Sequence, residues 1–207
     1  SINESMLAGR ASQHDAAKYA GRVAAVDWSA AFRAEVAHAL GSGQPNQIER
    51  IYRDALRKRY ANAAQLQLGI LIVCAQLGSK RAARPWMERL AQRPEALRPD
   101  ELAHAITMAV EMRQAESTLL LCRWLAATDP GASALHRLDA SHRVMALAKR
   151  MRLPHGRNGA WTMHLRLLAV VCEMLEPALP RLPDACRCQA CRLLDGVRLL
   201  QPASSRH

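Results

Sequence analysis

The chain has 207 residues, half of them apolar, so it can bury one sizeable core, and wholesale disorder is excluded. Only 4% of residues are aromatic while alanine, leucine and arginine abound, a balance that favours helix over strand. Twenty-nine Lys and Arg against 18 Asp and Glu give a net charge of +11, which attracts polyanions such as nucleic acid, acidic proteins or anionic membranes.

Taken in order, residues 1–27 predict an N-terminal arm or capping helix, with Asn3 or Ser5 as its cap and Met6, Ala16, Tyr19 and Val23 on a thin apolar face. From Trp28 a helix runs to Leu40 and stops at Gly41-Ser42-Gly43. The next begins near Pro45, a residue suited to a first helical turn. Its outer face carries Arg50, Arg53 and Arg57, and Glu49 stands four residues before Arg53, where the two can pair. The most apolar helix is predicted over 63–77 and turns at Gly78. The helix after it carries Lys80, Arg81, Arg84 and Arg89. Pro85 either kinks this helix or lies in the first turn of a helix that starts late. Pro99-Asp100-Glu101 opens a further helix, with its carboxylates at the positive end of the helix dipole. Arg113 stands where a turn glycine is expected, so that turn is either compatible with right-handed backbone or strained. Asp129-Pro130-Gly131 ends this unit. A helix over 135–152 follows, then a break at Leu153-Pro154-His155-Gly156. A longer helix capped by Asn158 runs to Met174, Pro177, Pro180 and Pro183 interrupt, and a last helix spans 184–200.

Gly43, Gly78 and Arg113 are spaced 35 residues apart, and the apolar pattern repeats around each. Five, eight, nine and twelve residues later stand Ile48, Ile51, Tyr52 and Ala55, then Ala83, Trp86, Met87 and Leu90, then Thr118, Leu121, Cys122 and Leu125. Each set is one helical face. The fold predicted is all-α: an α-solenoid of helical hairpins with 35-residue repeats. Three repeats span 28–132, and a degenerate repeat with C-terminal capping helices spans 133–207.

The turn glycine followed by Ala83, Met87 and Leu90 resembles the pentatricopeptide repeat; the related tetratricopeptide repeat is the nearest competitor. The resemblance covers 28–132 and implies RNA work in mitochondria or plastids. It also implies that bases are read at Arg33, Leu68 and Ala103 on the first helices and at Ala63, Arg98 and Ser133 at the repeat ends. Leu68 and Ala103 cannot hydrogen-bond a base edge, so the fold is expected without its base code, as in scaffold proteins of mitochondrial ribosomes.

Cys186, Cys188 and Cys191 lie within six residues. They read as free thiols, as partners in a disulfide, or as part of a Zn²⁺ or iron–sulfur site completed by Cys172, His164, His155 or a partner chain. Cys74 and Cys122, at core positions, read as buried free thiols. His104 and His164 read as surface or packed histidines. Trp28, Trp86, Trp124 and Trp161 are either stacking platforms for bases or core. No phosphate loop, nucleophile elbow or His-Glu-x-x-His motif occurs, so no enzyme, catalytic residue or resident cofactor is expected. The longest apolar run, Leu68 to Ala75, is too short to span a membrane.

The expectation is a non-catalytic scaffold of a ribonucleoprotein, a mitochondrial ribosome in the matrix. Arg50, Arg53, Arg57, Lys80, Arg81 and Arg84 would touch rRNA phosphates, and neighbouring proteins would fill its grooves. The alternatives are a mitochondrial RNA-processing factor and a tetratricopeptide-like adaptor or chaperone without RNA.

Overall fold

The computed structural model describes residues 29–151 and 158–201. The expectations for the 1–27 arm, Trp28, the break at 153–156 and the cap at Asn158 lie outside what is described. Among the described residues the chain is all α-helical, with no strand. Its helices are α1 (residues 29–41), α2 (Asn46–Arg57), α3 (Ala63–Gln76), α4 (Lys80–Gln92), α5 (Pro99–Glu111), α6 (Ala115–Ala127), α7 (Pro130–Met151), α8 (Asn158–Leu175) and α9 (Asp184–Leu200). A short 3-10 turn, Leu179–Arg181, precedes α9.

Sequence neighbours pack together: α3 on α4, α5 on α6, α7 on α8. Alternate helices also lie side by side, with α3, α5 and α7 in one row and α4, α6 and α8 in the other, while α9 lies against α7 and α8. The apolar spacing explains the arrangement. On α2, Ile48, Tyr52 and Ala55 are buried, one face of a helix. Along α3, almost every residue from Leu66 to Cys74 is buried, which is why this helix is apolar on all sides. Thr118, Leu121, Cys122 and Leu125 on α6 are likewise buried, as are Ala83, Trp86, Met87 and Leu90 on α4.

The turns at the three spaced positions share one geometry. Gly43, Gly78 and Arg113 have φ of +69°, +67° and +56°. At each, two amides close back on the preceding helix: Gly43 to Leu40 and Gln44 to Ala39, Gly78 to Ala75 and Ser79 to Cys74, Arg113 to Val110 and Gln114 to Ala109. This paired closure satisfies carbonyls that a helix end leaves without partners. Of the two backbone options at Arg113, the strained one is found. A non-glycine residue in this region costs about 1 kcal/mol, because its Cβ crowds the carbonyl oxygen that follows.

Helix starts follow local chemistry. Asn62 accepts from the Gln65 amide at 2.8 Å ahead of α3, and Glu101 accepts from the Arg98 amide at 2.9 Å ahead of α5. Pro85 lies inside α4, five residues past its start, so the late-start option is not adopted and the carbonyl of Arg81 has no helical donor. The start of α7 corrects the sequence reading. Asp129-Pro130-Gly131 does not merely end a unit: it begins α7 at Pro130, five residues before Leu135. Asp129 Oδ2 accepts from the Ala132 amide at 2.8 Å, and proline is pre-set for the first turn.

Among the described residues, one arginine side chain is wholly enclosed. Arg137 of α7 is 0% exposed; it donates to Ser133 Oγ at 2.9 Å and to the carbonyls of Ala126 (3.0 Å), Thr128 (2.6 Å) and Met174 (3.2 Å). These carbonyls lie at the C-terminal ends of α6 and α8, which carry partial negative charge. Burial lowers the pKa of Arg137, partly offset by Asp129, and the guanidinium stays charged. His164, also buried, closes the end of α7 by placing Nδ1 2.7 Å from the Ala148 carbonyl.

Candidate nucleic-acid interface

The two helices that carry the predicted basic residues meet through side chains. Tyr52 of α2 and Trp86 of α4 pack edge to face, ring centres 5.1 Å apart, and Gln67 of α3 donates to the Tyr52 hydroxyl at 3.0 Å. Arg89 of α4 stacks over both rings, 5.1 Å from Tyr52 and 4.6 Å from Trp86, and donates to Glu49 of α2 at 2.7 Å. Arg89 thus works as a strut between α2 and α4, holding their outer faces as one surface.

On that surface the six predicted contact residues are all exposed. They fall into two groups. Arg53 pairs with Glu49 at 2.9 Å, Arg57 pairs with Asp54, and Arg84 pairs with Glu88 at 3.1 Å. Arg50, Lys80 and Arg81 have no ion-pair partner among the described residues. Lys58 and Arg59 add two cations at the end of α2, the first paired with Asp54 at 2.7 Å. Partial burial pushes the Glu49 pKa up, but hydrogen bonds and charge from Arg89 and Arg53 outweigh it and hold the pKa below its usual value. Lys58 and Arg57 do the same for Asp54, and Asp54 in turn raises Lys58. Ten cations (Arg50, Arg53, Arg57, Lys58, Arg59, Lys80, Arg81, Arg84, Arg89 and Arg93) therefore stand against three carboxylates (Glu49, Asp54 and Glu88) on α2 and α4 and the two residues beyond each.

The same row of helices differs at its other end. On α6 and α8, Arg123 and Arg166 meet Glu116 and Glu173, with Glu176 just beyond, and Arg166 is tied to Glu116 at 3.0 Å. The excess of cations is larger on α2 and α4 than on α6 and α8; among the described residues Lys149 and Arg150 of α7 and Arg192 of α9 are further exposed cations without an ion pair.

The base-reading positions implied by the resemblance are mostly closed. Leu68 and Ala103 are buried. Ser133 is buried and occupied by Asp129 and Arg137, and Arg98 is held by Asp100 at 3.1 Å and Glu101 at 3.6 Å. Ala63 is exposed but apolar. Arg33 is exposed and borders, with Gln65, Ile72 and His104, a groove of about 340 Å³ between α1, α3 and α5. Among the tryptophans, Trp86 is core, while Trp124 and Trp161 are partly exposed, the latter stacked on His164 with ring centres 5.1 Å apart.

Cys186, Cys188 and Cys191 lie along α9, the first half-buried and the others exposed. At about 100° per residue, Cys188 points roughly 200° away from Cys186 around the helix, so the three thiols do not converge. Among the described residues no group of three His, Cys, Asp or Glu side chains is placed to hold a metal ion, and all six cysteines are free thiols. Sequence reasoning missed Arg89 and Arg137. The spacing of Tyr52 and Trp86 relative to their turns was a usable signal for the first; the second had none in the local sequence. Comparison with protein-family models, curated proteins and solved structures gives no match for this chain.

Proposed function

We propose that the chain is a non-catalytic helical-hairpin scaffold of a ribonucleoprotein, bound to RNA through backbone phosphates on α2 and α4. The observation that carries this reading is the concentration of cations there, with Arg50, Lys80 and Arg81 left without an ion pair among the described residues. A surface of that kind neutralises phosphates and releases counterions without reading sequence. The hairpin-solenoid part of the proposal is supported by the left-handed turns recurring every 35 residues. A place in a mitochondrial ribosome, in the matrix, comes from the resemblance to pentatricopeptide scaffolds. The burial of Leu68, Ala103 and Ser133 weighs against a sequence-reading RNA-processing factor.

The groove between α1, α3 and α5 favours a second reading, a tetratricopeptide-like adaptor that holds a protein segment. Titrating a generic RNA duplex and an RNA single strand at 50 and 200 mM salt separates the two. The scaffold reading expects binding at low salt, little sequence preference and a steep loss at high salt. No binding at low salt would leave only the adaptor.

A further inference from the structure

A groove of about 400 Å³ lies between the first half of α4 and the turn joining α5 to α6, bordered by Lys80, Arg84, Glu88, Arg113 and Glu116. Both carboxylates are already engaged, Glu88 by Arg84 at 3.1 Å and Glu116 by Arg166 at 3.0 Å. Lys80 and Arg113 have no ion pair among the described residues and remain its uncompensated charges. Lys80 and Arg84 also belong to the α4 basic surface, so the groove continues that surface.

Arg113 is set apart by the groove that it borders, since Arg59 after α2 also holds a positive φ, +54°. The equivalent turns use Gly43 and Gly78, which adopt a positive φ freely; Arg113 holds +56° against the preference of its own Cβ. A cation beyond the end of α5 gains something from the helix dipole. That gain needs only a charge; arginine adds a planar guanidinium with paired donors at the border of the groove, a shape that fits two oxygens of one phosphate.

We infer that this groove seats one backbone phosphate of the bound RNA, gripped by Arg113 and by the point charge of Lys80. The inference rests on the RNA reading above and adds a defined anchor to it. The test uses the whole chain and a generic RNA duplex, with affinity measured across a salt series. Arg113→Gly relieves the turn, so its melting temperature should not fall, while its slope of log affinity against log salt should drop by about 1. Arg113→Lys should keep the slope, and Arg192→Ala, a single-charge change on α9, should leave it unchanged. If the wild-type chain binds RNA and Arg113→Gly keeps the full slope, or Arg192→Ala loses as much, the anchor is wrong and the RNA reading survives. If the wild-type chain binds no RNA, both fall. Inorganic phosphate that stabilises the wild type but not Arg113→Gly, with an unchanged RNA slope, would make this a free-phosphate site and overturn the assignment to RNA.

Discussion

Arg137 shows how much one side chain carries. Its guanidinium satisfies three main-chain carbonyls at the ends of α6 and α8 from inside the core. Arg137→Met would leave those acceptors buried without donors and should destabilise the fold by about 3–5 kcal/mol, read by urea unfolding. Lysine cannot reach all three, so Arg137→Lys should recover only part. At Glu49 the prediction is one of pH. Its folded pKa lies below the ordinary 4.5, so its pairs with Arg53 and Arg89 add stability above that value and lose it as the pH falls through the lowered pKa. Because the pair is largely solvated, Glu49→Gln should cost less than about 1 kcal/mol at pH 7, and the gap to wild type should close as the pH falls through the lowered pKa of Glu49. Thiol chemistry divides the cysteines. Burial pushes the Cys74 pKa up to about 11; burial, with Glu173 nearby, pushes Cys122 up further. Iodoacetamide at pH 8 should label Cys188 and Cys191 in the native protein, and Cys74 and Cys122 only after unfolding; native labelling of Cys122 would contradict this packing. Local sequence reads a cysteine at a core position correctly as a buried thiol. It carries no signal for Arg137, because only the meeting of α6, α7 and α8 brings its acceptors together.

At the scale of elements, the helices were legible and their exact starts less so. Apolar spacing places α3, α5, α8 and α9 within a residue or two, and α9 runs over 184–200 as its pattern predicts. The start of α7 was missed because an Asp-Pro-Gly sequence both breaks one helix and caps the next; which it does depends on whether Asp129 meets the Ala132 amide. The turns offer direct tests. A Cβ at Gly78 would meet nothing within 4 Å, so Gly78→Ala should cost about 1 kcal/mol from backbone conformation alone. Pro85 works the other way: Pro85→Ala returns a donor to the Arg81 carbonyl and should raise stability by about 1–3 kcal/mol, visible as a higher melting temperature. A lower one would mean that the Pro85 ring is needed to pack Trp86 against Tyr52.

At the scale of the whole molecule, positive charge is unevenly placed among the described residues. The α2 and α4 end is basic and tied into one surface by Arg89, while α6 and α8 are balanced and α9 covers α7 and α8. Composition announced the excess of positive charge. It could not say where that charge gathers, since ion pairs with Glu49, Asp54 and Glu88 decide which cations stay free. The decisive measurement is the salt dependence of RNA binding for the wild-type chain against the Arg50→Ala, Lys80→Ala, Arg81→Ala triple variant. The account predicts binding at 50 mM salt by the wild type and a slope that is smaller by about 2–3 in the variant, with the helical fold unchanged by circular dichroism. Equal slopes in the two proteins, or no RNA binding by either, would contradict it.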